Sequence, residues 1–473
     1  MKKTKIVCTL GPSTQTQEII EELLLQGMNV ARFNFSHGSH EGHRAHMGKV
    51  RKASAKTGIP VAIMLDTKGP EMRLASFKSS PVFLQKGQKF TLTARELAGD
   101  ESIVSINHKN LPQEVKPGDS ILLSDGLVRL TVENIVNTED IVTRVENSGE
   151  MSNNKRVAVP GANLSLPFLS VKDKEDLLFG IEENVDFIAA SFVQRAEDIL
   201  LIKELLAERD ASIPIIAKIE NAEGVKNMQE ILAAADGFMI ARGDLGVEIP
   251  AEEVPLIQKQ MIRLCNRAGK PVITATQMLE SMTVNPRPTR AEASDVANAI
   301  LDGTDAVMLS AETASGRFPV EATMTMSLIA CHTETALNTE ESLYKMVFEN
   351  KTDTTNAISH ATVQVAHELN AAGIITATES GFTARMVSKY RPKSGIFAVT
   401  PHLETIRRLQ LVWGVTALQG LAHKDTDAMT NEAIQKCLEK RCISPGDLVV
   451  VTAGVPIGFT GTTNMIQVHT ACT

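Results

Sequence analysis

Aromatic residues are scarce in this chain: its 473 residues include one Trp, two Tyr and 15 Phe. Too few rings are present for the stacking platforms that hold single-stranded nucleic acid, and the core has to be aliphatic. A basic excess is missing as well. Lys and Arg number 48 against 56 Asp and Glu, a formal charge of −8, so an anionic substrate must be met by a local cationic site. This balance argues against a nucleic-acid or anionic-membrane partner. The six cysteines, at 8, 265, 331, 437, 442 and 472, have no paired metal spacing and read as free thiols in a reducing cytoplasm. No apolar run approaches bilayer-spanning length, and the run at 6–10, stopped by Gly11-Pro12, is too short for a signal peptide. Neither GxxxxGK(S/T) nor GxGxxG follows a predicted strand, so nucleotide phosphates, if bound, are not held by a P-loop.

What the sequence does contain is short aliphatic runs that end in charge. Hydrophobic residues make up 43% of the chain, which is long enough for two or three domains. Within residues 213–250 the apolar run 214–217 leads into Lys218 and Glu220, and the run 237–241 leads into Arg242 and Asp244. Such runs predict buried parallel strands. Between them Asn221 is placed to cap a helix carrying Val225, Met228, Ile231 and Leu232 on one stripe. Because strand side chains alternate, Lys218 and Glu220 share a face, as do Arg242 and Asp244.

That β-α-β unit recurs. Strands predicted at 4–10, 29–35, 61–66, 186–192, 213–218, 237–242, 271–276 and 305–310, with helices between, predict an α/β fold, the closed (β/α)8 TIM barrel. Active sites of such barrels lie at the C-terminal strand ends, where this chain places Arg32, Asn34, Ser36, Asp66, Thr67, Lys218, Glu220, Asp244, Thr276 and Ser310. The rhythm breaks between 70 and 168, where short Val-, Leu- and Ile-rich runs alternate with turns such as Ser124-Asp125-Gly126. An inserted all-β domain is expected there. A polar linker at 349–355 leads to a last region with strands at 373–377, 395–399, 448–452 and 465–468, a C-terminal α/β domain. The expected divisions are 1–69 with 169–340, then 70–168, then 352–473.

Glu220 and Asp244, carboxylates on adjacent strand ends, suit Mg²⁺ or Mn²⁺ held by few protein ligands and by substrate oxygens. The alternative is a pair of salt bridges to Lys218 and Arg242. Lys218 and Arg32 are placed to hold a phosphoryl group. Gly243 lets backbone amides approach a ligand, and Thr276, Gln277, Ser310 and Glu312 line the far rim, although Thr or Ser there equally caps the next helix. His37, His40, His43 and His46, spaced by three, spread around half a helix and read as a polar connection rather than a metal cluster. Thr378-Glu379-Ser380-Gly381-Phe382-Thr383 has the hydroxyls and glycine of a phosphate-holding turn, or of an ordinary helix cap.

On the motifs NVARFNFSHGSH (29–40), LDTKGPEMR (65–73), IIAKIENAEG (215–224), MIARGDLGVE (239–248), ITATQMLESM (273–282) and MLSAETASGRFP (308–319), the chain resembles the pyruvate kinases from end to end. The resemblance implies that ADP takes the phosphoryl group of phosphoenolpyruvate, giving pyruvate and ATP in glycolysis. It implies Glu220 and Asp244 as ligands of Mg²⁺ (or Mn²⁺). Asn34, Ser36, Asp66 and Thr67 become ligands of K⁺, and Glu71 matches the acid of potassium-requiring members. Arg32 and Lys218 contact the phosphoryl group, Gly243, Asp244 and Thr276 belong to the substrate site, and Arg73, His37 and Asn34 lie on the nucleotide side. Protonation of the enolate is expected on the Thr276 and Ser310 side.

The same resemblance implies that the β insertion closes as a lid and that the enzyme is an allosteric cytoplasmic homotetramer with no nucleic-acid or membrane partner. An effector pocket is implied at Thr378, Ser380, Gly381 and Thr383 with the 452–463 loop. Glu379 stands where an acid opposes fructose 1,6-bisphosphate, which leaves the effector open among sugar phosphates and nucleotides. The sequence stops at Thr473, so the form without an extra phosphohistidine-type domain is expected. A metal-dependent lyase acting on phosphoenolpyruvate or pyruvate would need the metal pair but neither lid nor potassium cluster. A non-catalytic sugar-phosphate sensor need not retain Lys218, Glu220, Asp244 and Thr276.

Overall fold

In the computed structural model, which describes residues 2–162, 164–337, 353–456 and 461–472, eight parallel strands close into a barrel. They are Lys5–Thr9, Val30–Asn34, Ala62–Asp66, Phe187–Ala190, Ile215–Ile219, Gly237–Ala241, Val272–Ala275 and Ala306–Leu309. The ring closes where the first strand pairs with the last, Lys5 opposite Ala306 and Cys8 opposite Leu309. Each expected barrel strand is present with shifted ends.

Strand alternation explains how this interior carries both a core and a site. Val30, Met64, Ile216 and Met308 point into one apolar interior cluster. Two residues on, with the same parity, stand Arg32, Asp66, Lys218 and Ser310, so the filling turns polar toward the C-terminal strand ends. Leu411 of the C-terminal region joins the apolar cluster.

One predicted helix is broken. Asn221 caps it as expected, its Oδ1 accepting the Gly224 N–H at 2.7 Å, but two helices follow, Ala222–Lys226 and Met228–Ala234. The break falls at Asn227, whose side-chain amide donates to the Gln194 carbonyl at 2.9 Å.

Between the third and fourth barrel strands the chain builds a seven-stranded and a two-stranded sheet, with one helical turn at Leu111–Glu114. Ser124, Asp125 and Gly126 all have positive φ and reverse the chain between the antiparallel strands Ser120–Leu123 and Val128–Val136. The exit and the return of this insertion are tied together. The Gly69 N–H donates to buried Asp173 at 3.0 Å, and Asp173 completes a capping box with Ser170 at the start of the Val171–Glu182 helix. Gly69 has φ +70, and a Cβ there would lie 2.8 Å from Ser191 Cβ, so no other residue fits.

The C-terminal sheet runs in the order Val415–Gln419, Gly395–Thr400, Gly373–Ala377, Leu448–Ala453 and Met465–Thr470, the last antiparallel to its neighbour. Val415–Gln419 is not predicted from sequence, because VTALQ is a short edge strand whose alternation is broken by buried Leu418. Residues 349–352 of the expected linker, and the expected boundaries at 340 and 352, lie outside the described residues. Residues 354 and 355 already belong to the helix Thr354–Glu368, capped by Asp353. This sheet is fastened to the barrel by buried polar contacts. Arg407 pairs with Asp186 at 2.6 Å, Arg391 with Asp305 at 3.0 Å, and Lys5 donates to the Val415 carbonyl at 2.7 Å. Among the described residues no helix is long and apolar enough to cross a membrane.

Burial lowers the pKa of Lys5 from the usual 10.5 to about 8, against the weaker opposing pull of Glu334. The unfolded chain therefore binds more protons than the folded one between these values, so this lysine's penalty on stability is relieved as pH rises through that window. The neutral amine still donates to Val415. Replacing it should remove the slope: relative to wild type, the melting temperature of Lys5→Met should fall as pH is raised from about 7 to 9.5. A difference that stays constant across thermal melts at those pH values would contradict the assignment.

Candidate active site

The polar layer at the C-terminal strand ends is a closed network of opposite charges. Arg32 Nε donates to Asp66 Oδ2 at 2.6 Å and its Nη1 to Thr9 Oγ1 at 2.9 Å. Lys218 Nζ reaches Asp66 Oδ1 at 3.0 Å, Ser191 Oγ at 2.7 Å and Glu220 Oε1 at 3.1 Å. The other Glu220 oxygen accepts the Phe192 N–H at 2.7 Å. Both carboxylate side chains are only 1% exposed. Burial works against the charge on Asp66, but Arg32 and Lys218 outweigh it and hold the carboxyl below its usual range. Burial likewise opposes the Lys218 charge, and Asp66 and Glu220 overcome it to raise the ammonium above its ordinary value. Both shifts favour the charged forms of Asp66 and Lys218, and the cluster pairs two basic with two acidic side chains at the C-terminal strand ends.

At the end of the neighbouring strand the second metal-ligand candidate stands differently. The strand ends at Ala241 and a helix, Arg242–Glu248, begins at once, so the shared strand face expected for Arg242 and Asp244 does not exist. Arg242 turns away to Asp295 at 2.7 Å and to the Thr276 carbonyl at 2.8 Å, which gives it a structural role. Asp244 instead accepts a hydrogen bond from Arg156 of the insertion. The Gly243 N–H donates to Thr276 Oγ1 at 2.7 Å, and that hydroxyl donates to the Ala275 carbonyl at 2.6 Å. Thr276 and Gln277 have φ of 67 and 55, and Phe192 has 57. Each left-handed non-glycine residue costs about 1–3 kcal/mol, and three of them lie on this one rim. The Ser310 backbone N–H donates to buried Glu312, while the Ser310 Oγ is buried with no hydrogen-bond partner.

The remaining predicted residues are more dispersed. Asn34 lies opposite Asp66 in the strand register, and its Oδ1 accepts the Ser36 N–H at 3.0 Å. Thr67 Oγ1 accepts the Ser191 N–H at 3.1 Å. Arg73, in the insertion, pairs with Glu71 at 2.8 Å and His37 is exposed; neither bonds to the charged cluster. His40, His43 and His46 lie on the His40–Thr57 helix, and His43 and His40 stack on Phe35 and Phe179. Between insertion and barrel, a cavity of about 170 Å³ is lined by Glu71, Arg156, Phe192, Asn221 and Glu248 among others.

Sequence reasoning passed over Ser191, Phe192, Thr9 and Arg156. Ser191 shares the parity of the interior residue Ala189, the one signal that could have found it.

The second candidate site lies in the C-terminal sheet. Gly381 has φ +78 and precedes the Phe382–Ser388 helix; its N–H donates to Thr378 Oγ1 at 3.0 Å. Thr383 and Thr463 hydroxyls meet at 3.0 Å. The adjoining cavity of about 50 Å³ is lined by Thr378, Ser380 and Thr383 together with Glu379, His423 and Glu432. Glu379 pairs with His402 at 2.6 Å and Glu432 with His423 at 2.7 Å. Residues 457–460 of the expected 452–463 loop lie outside the described residues.

Comparison with known proteins gives one answer along the chain. The family model for the pyruvate kinase barrel domain matches residues 1–323, and that for the pyruvate kinase alpha/beta domain matches 356–469. Pyruvate kinases of Staphylococcus aureus strains USA300 and COL are each 51% identical over 470 residues, spanning 99% of this chain and 80% of their own length. A crystal structure of a pyruvate kinase from Cryptosporidium parvum aligns with a TM-score of 0.95 at 40% identity, covering 99% of this chain and 96% of that one.

Removing one carboxylate from the cluster should expose its mutual dependence. Asp66→Asn leaves Arg32 and Lys218 short of a counter-charge and should destabilise the folded protein by about 3–5 kcal/mol, the range for breaking a buried ion pair. Arg73→Ala, which breaks a half-exposed pair, should cost less than about 1 kcal/mol. Denaturant titration of both variants measures this, and equal losses would refute the distinction.

Proposed function

The chain belongs to the pyruvate kinase family, and on that premise we propose that the Arg32–Asp66–Lys218–Glu220 cluster carries its reaction. The family's activity is phosphoryl transfer from phosphoenolpyruvate to ADP, giving pyruvate and ATP in glycolysis. The observation that supports the assignment is the buried, balanced set of charges at the C-terminal strand ends, where barrel enzymes work.

Arg32 and Lys218 hold the phosphoryl group, and Lys218 stabilises charge both in transfer and on the enolate oxygen left behind. Its contacts to Asp66, Glu220 and Ser191 fix the ammonium before substrate arrives, so little reorganisation accompanies the step. Glu220 and Asp244 would hold the divalent cation. Their hard oxygen donors fit Mg²⁺ or Mn²⁺ bound largely by water and substrate, and Asp244 already attracts a cationic group in Arg156. When bound, the metal neutralises phosphate charge so that anionic ADP can approach. Asn34, Ser36, Asp66 and Thr67 are assigned to K⁺, with Glu71 nearby in sequence.

The Gly243 amide and Thr276 hydroxyl receive the substrate carboxylate, exchanging the bond they now make to each other. Proton delivery to the enolate falls to Ser310, through water. The Thr276 proton is committed to Ala275, while the Ser310 hydroxyl is free of partners. Arg73, His37 and Asn34 face the nucleotide.

The proposed division is a catalytic barrel at 1–69 and 169–340, an inserted lid at 70–168 that excludes water on closing, and a regulatory unit at 352–473. Thr378, Ser380, Gly381 and Thr383 form the effector pocket. Glu379 and Glu432 place two carboxylates in its lining, which supports an effector other than fructose 1,6-bisphosphate among the sugar phosphates and nucleotides. A cytoplasmic homotetramer completes the reading.

Pyruvate should form from phosphoenolpyruvate only when ADP, Mg²⁺ and K⁺ are all supplied. Lys218→Met should lower kcat by at least about 10²–10³-fold, as loss of one fixed transition-state donor does, with Mn²⁺ binding retained. A coupled assay in which omission of ADP leaves the rate unchanged, or in which the mutant keeps its kcat, contradicts the mechanism.

A further inference from the structure

Arg156 has no part in the chemistry above, yet it reaches into the site. It opens the Arg156–Ala158 strand of the insertion, opposite Arg73, and its side chain crosses to the barrel rim, where it is 11% exposed. Its Nη1 donates to Asp244 Oδ1. Its guanidinium carbon lies 4.7 Å from the centroid of the Phe192 ring. Phe192 is also the residue whose N–H holds Glu220. One planar cation therefore touches one proposed metal ligand directly and packs on the residue that orients the other. Stacking on Phe192 suits a guanidinium better than an ammonium.

A guanidinium on Asp244 occupies an oxygen lone pair and sets a like charge beside the position a divalent cation would take, which weakens binding of that cation in a partly dry site. We propose that Arg156 is a latch competing with the divalent cation for Asp244. Without metal it neutralises Asp244 and fastens the insertion to the rim, and metal entry releases it. The latch rests on the assignment of Glu220 and Asp244 as metal ligands. It makes metal alone a signal that frees the insertion, before either substrate binds.

The test is a titration of the full-length protein with Mn²⁺ alone, following free Mn²⁺ by electron paramagnetic resonance, in wild type, Arg156→Met, Arg156→Lys and Glu220→Gln. Arg156→Met should bind Mn²⁺ roughly tenfold more tightly, the factor expected if the latched state outweighs the open one about nine to one. Arg156→Lys, which keeps the charge and loses the stacking, should fall between. Amide hydrogen exchange across residues 155–159 should quicken when Mn²⁺ is added to wild type, and should be fast and insensitive to Mn²⁺ in Arg156→Met. If Glu220→Gln loses Mn²⁺ but Arg156→Met binds it like wild type with unchanged exchange, the latch is overturned and the metal site stands. If Glu220→Gln binds Mn²⁺ like wild type, the metal-site assignment fails and the latch with it.

Discussion

Two cations and two carboxylates cannot be removed from water unless they neutralise one another, and the site of this protein depends on that constraint. Arg32, Asp66 and Lys218 come from three barrel strands, and Glu220 from the end of the third of these. Buried without its partners, any one of these charges would cost several kcal/mol. The pairing holds only if the strands keep their register, such as Asn34 opposite Asp66 and Ala189 opposite Asp66 on its other side. Closure of the barrel is thus a condition of the charged cluster as well as of the fold. The same arrangement explains why the cations are fixed in position: each is held by a buried carboxylate.

The parts of this arrangement legible in the sequence are those carried by period and charge. A strand of alternating residues writes its interior column at every second position, so Arg32, Asp66 and Lys218 announce themselves as charges in otherwise apolar columns. Ser191 occupies an equivalent place but is small and uncharged, and a serine at a strand end reads as a cap. For Asp244 strand parity gives the wrong geometry, since the backbone turns helical after Ala241 and alternation no longer applies. Arg156 was beyond reach, because nothing in a β hairpin's sequence says which distant rim it faces. Nor does a phenylalanine advertise the positive φ that turns the Phe192 amide toward Glu220.

The C-terminal region shows the same division. Most of its strands are legible as aliphatic runs, whereas Val415–Gln419 is not, because buried Leu418 breaks the alternation of a five-residue strand. Glu379 is visible in the sequence as an acid in the turn before the Phe382–Ser388 helix. That Glu432 brings a second acid to the same cavity, and that each acid is matched by a histidine, depends on pairings across 23 and 9 residues that only the folded chain makes. The spacing of three among the histidines near the N-terminus reads as a polar connection and not as a metal cluster, and what it does not reveal is that His43 and His40 stack on Phe35 and Phe179.

The contact between Gly69 and Asp173 has an architectural consequence. Because the chain leaves the barrel and re-enters it at points one hydrogen bond apart, the whole β module is grafted onto a gap that a short turn could span. The barrel's own hydrogen-bond ring passes directly from the Ala62–Asp66 strand to the Phe187–Ala190 strand and needs nothing from the module to close. In topology the module is therefore an accessory that the eight-stranded frame does not need in order to close.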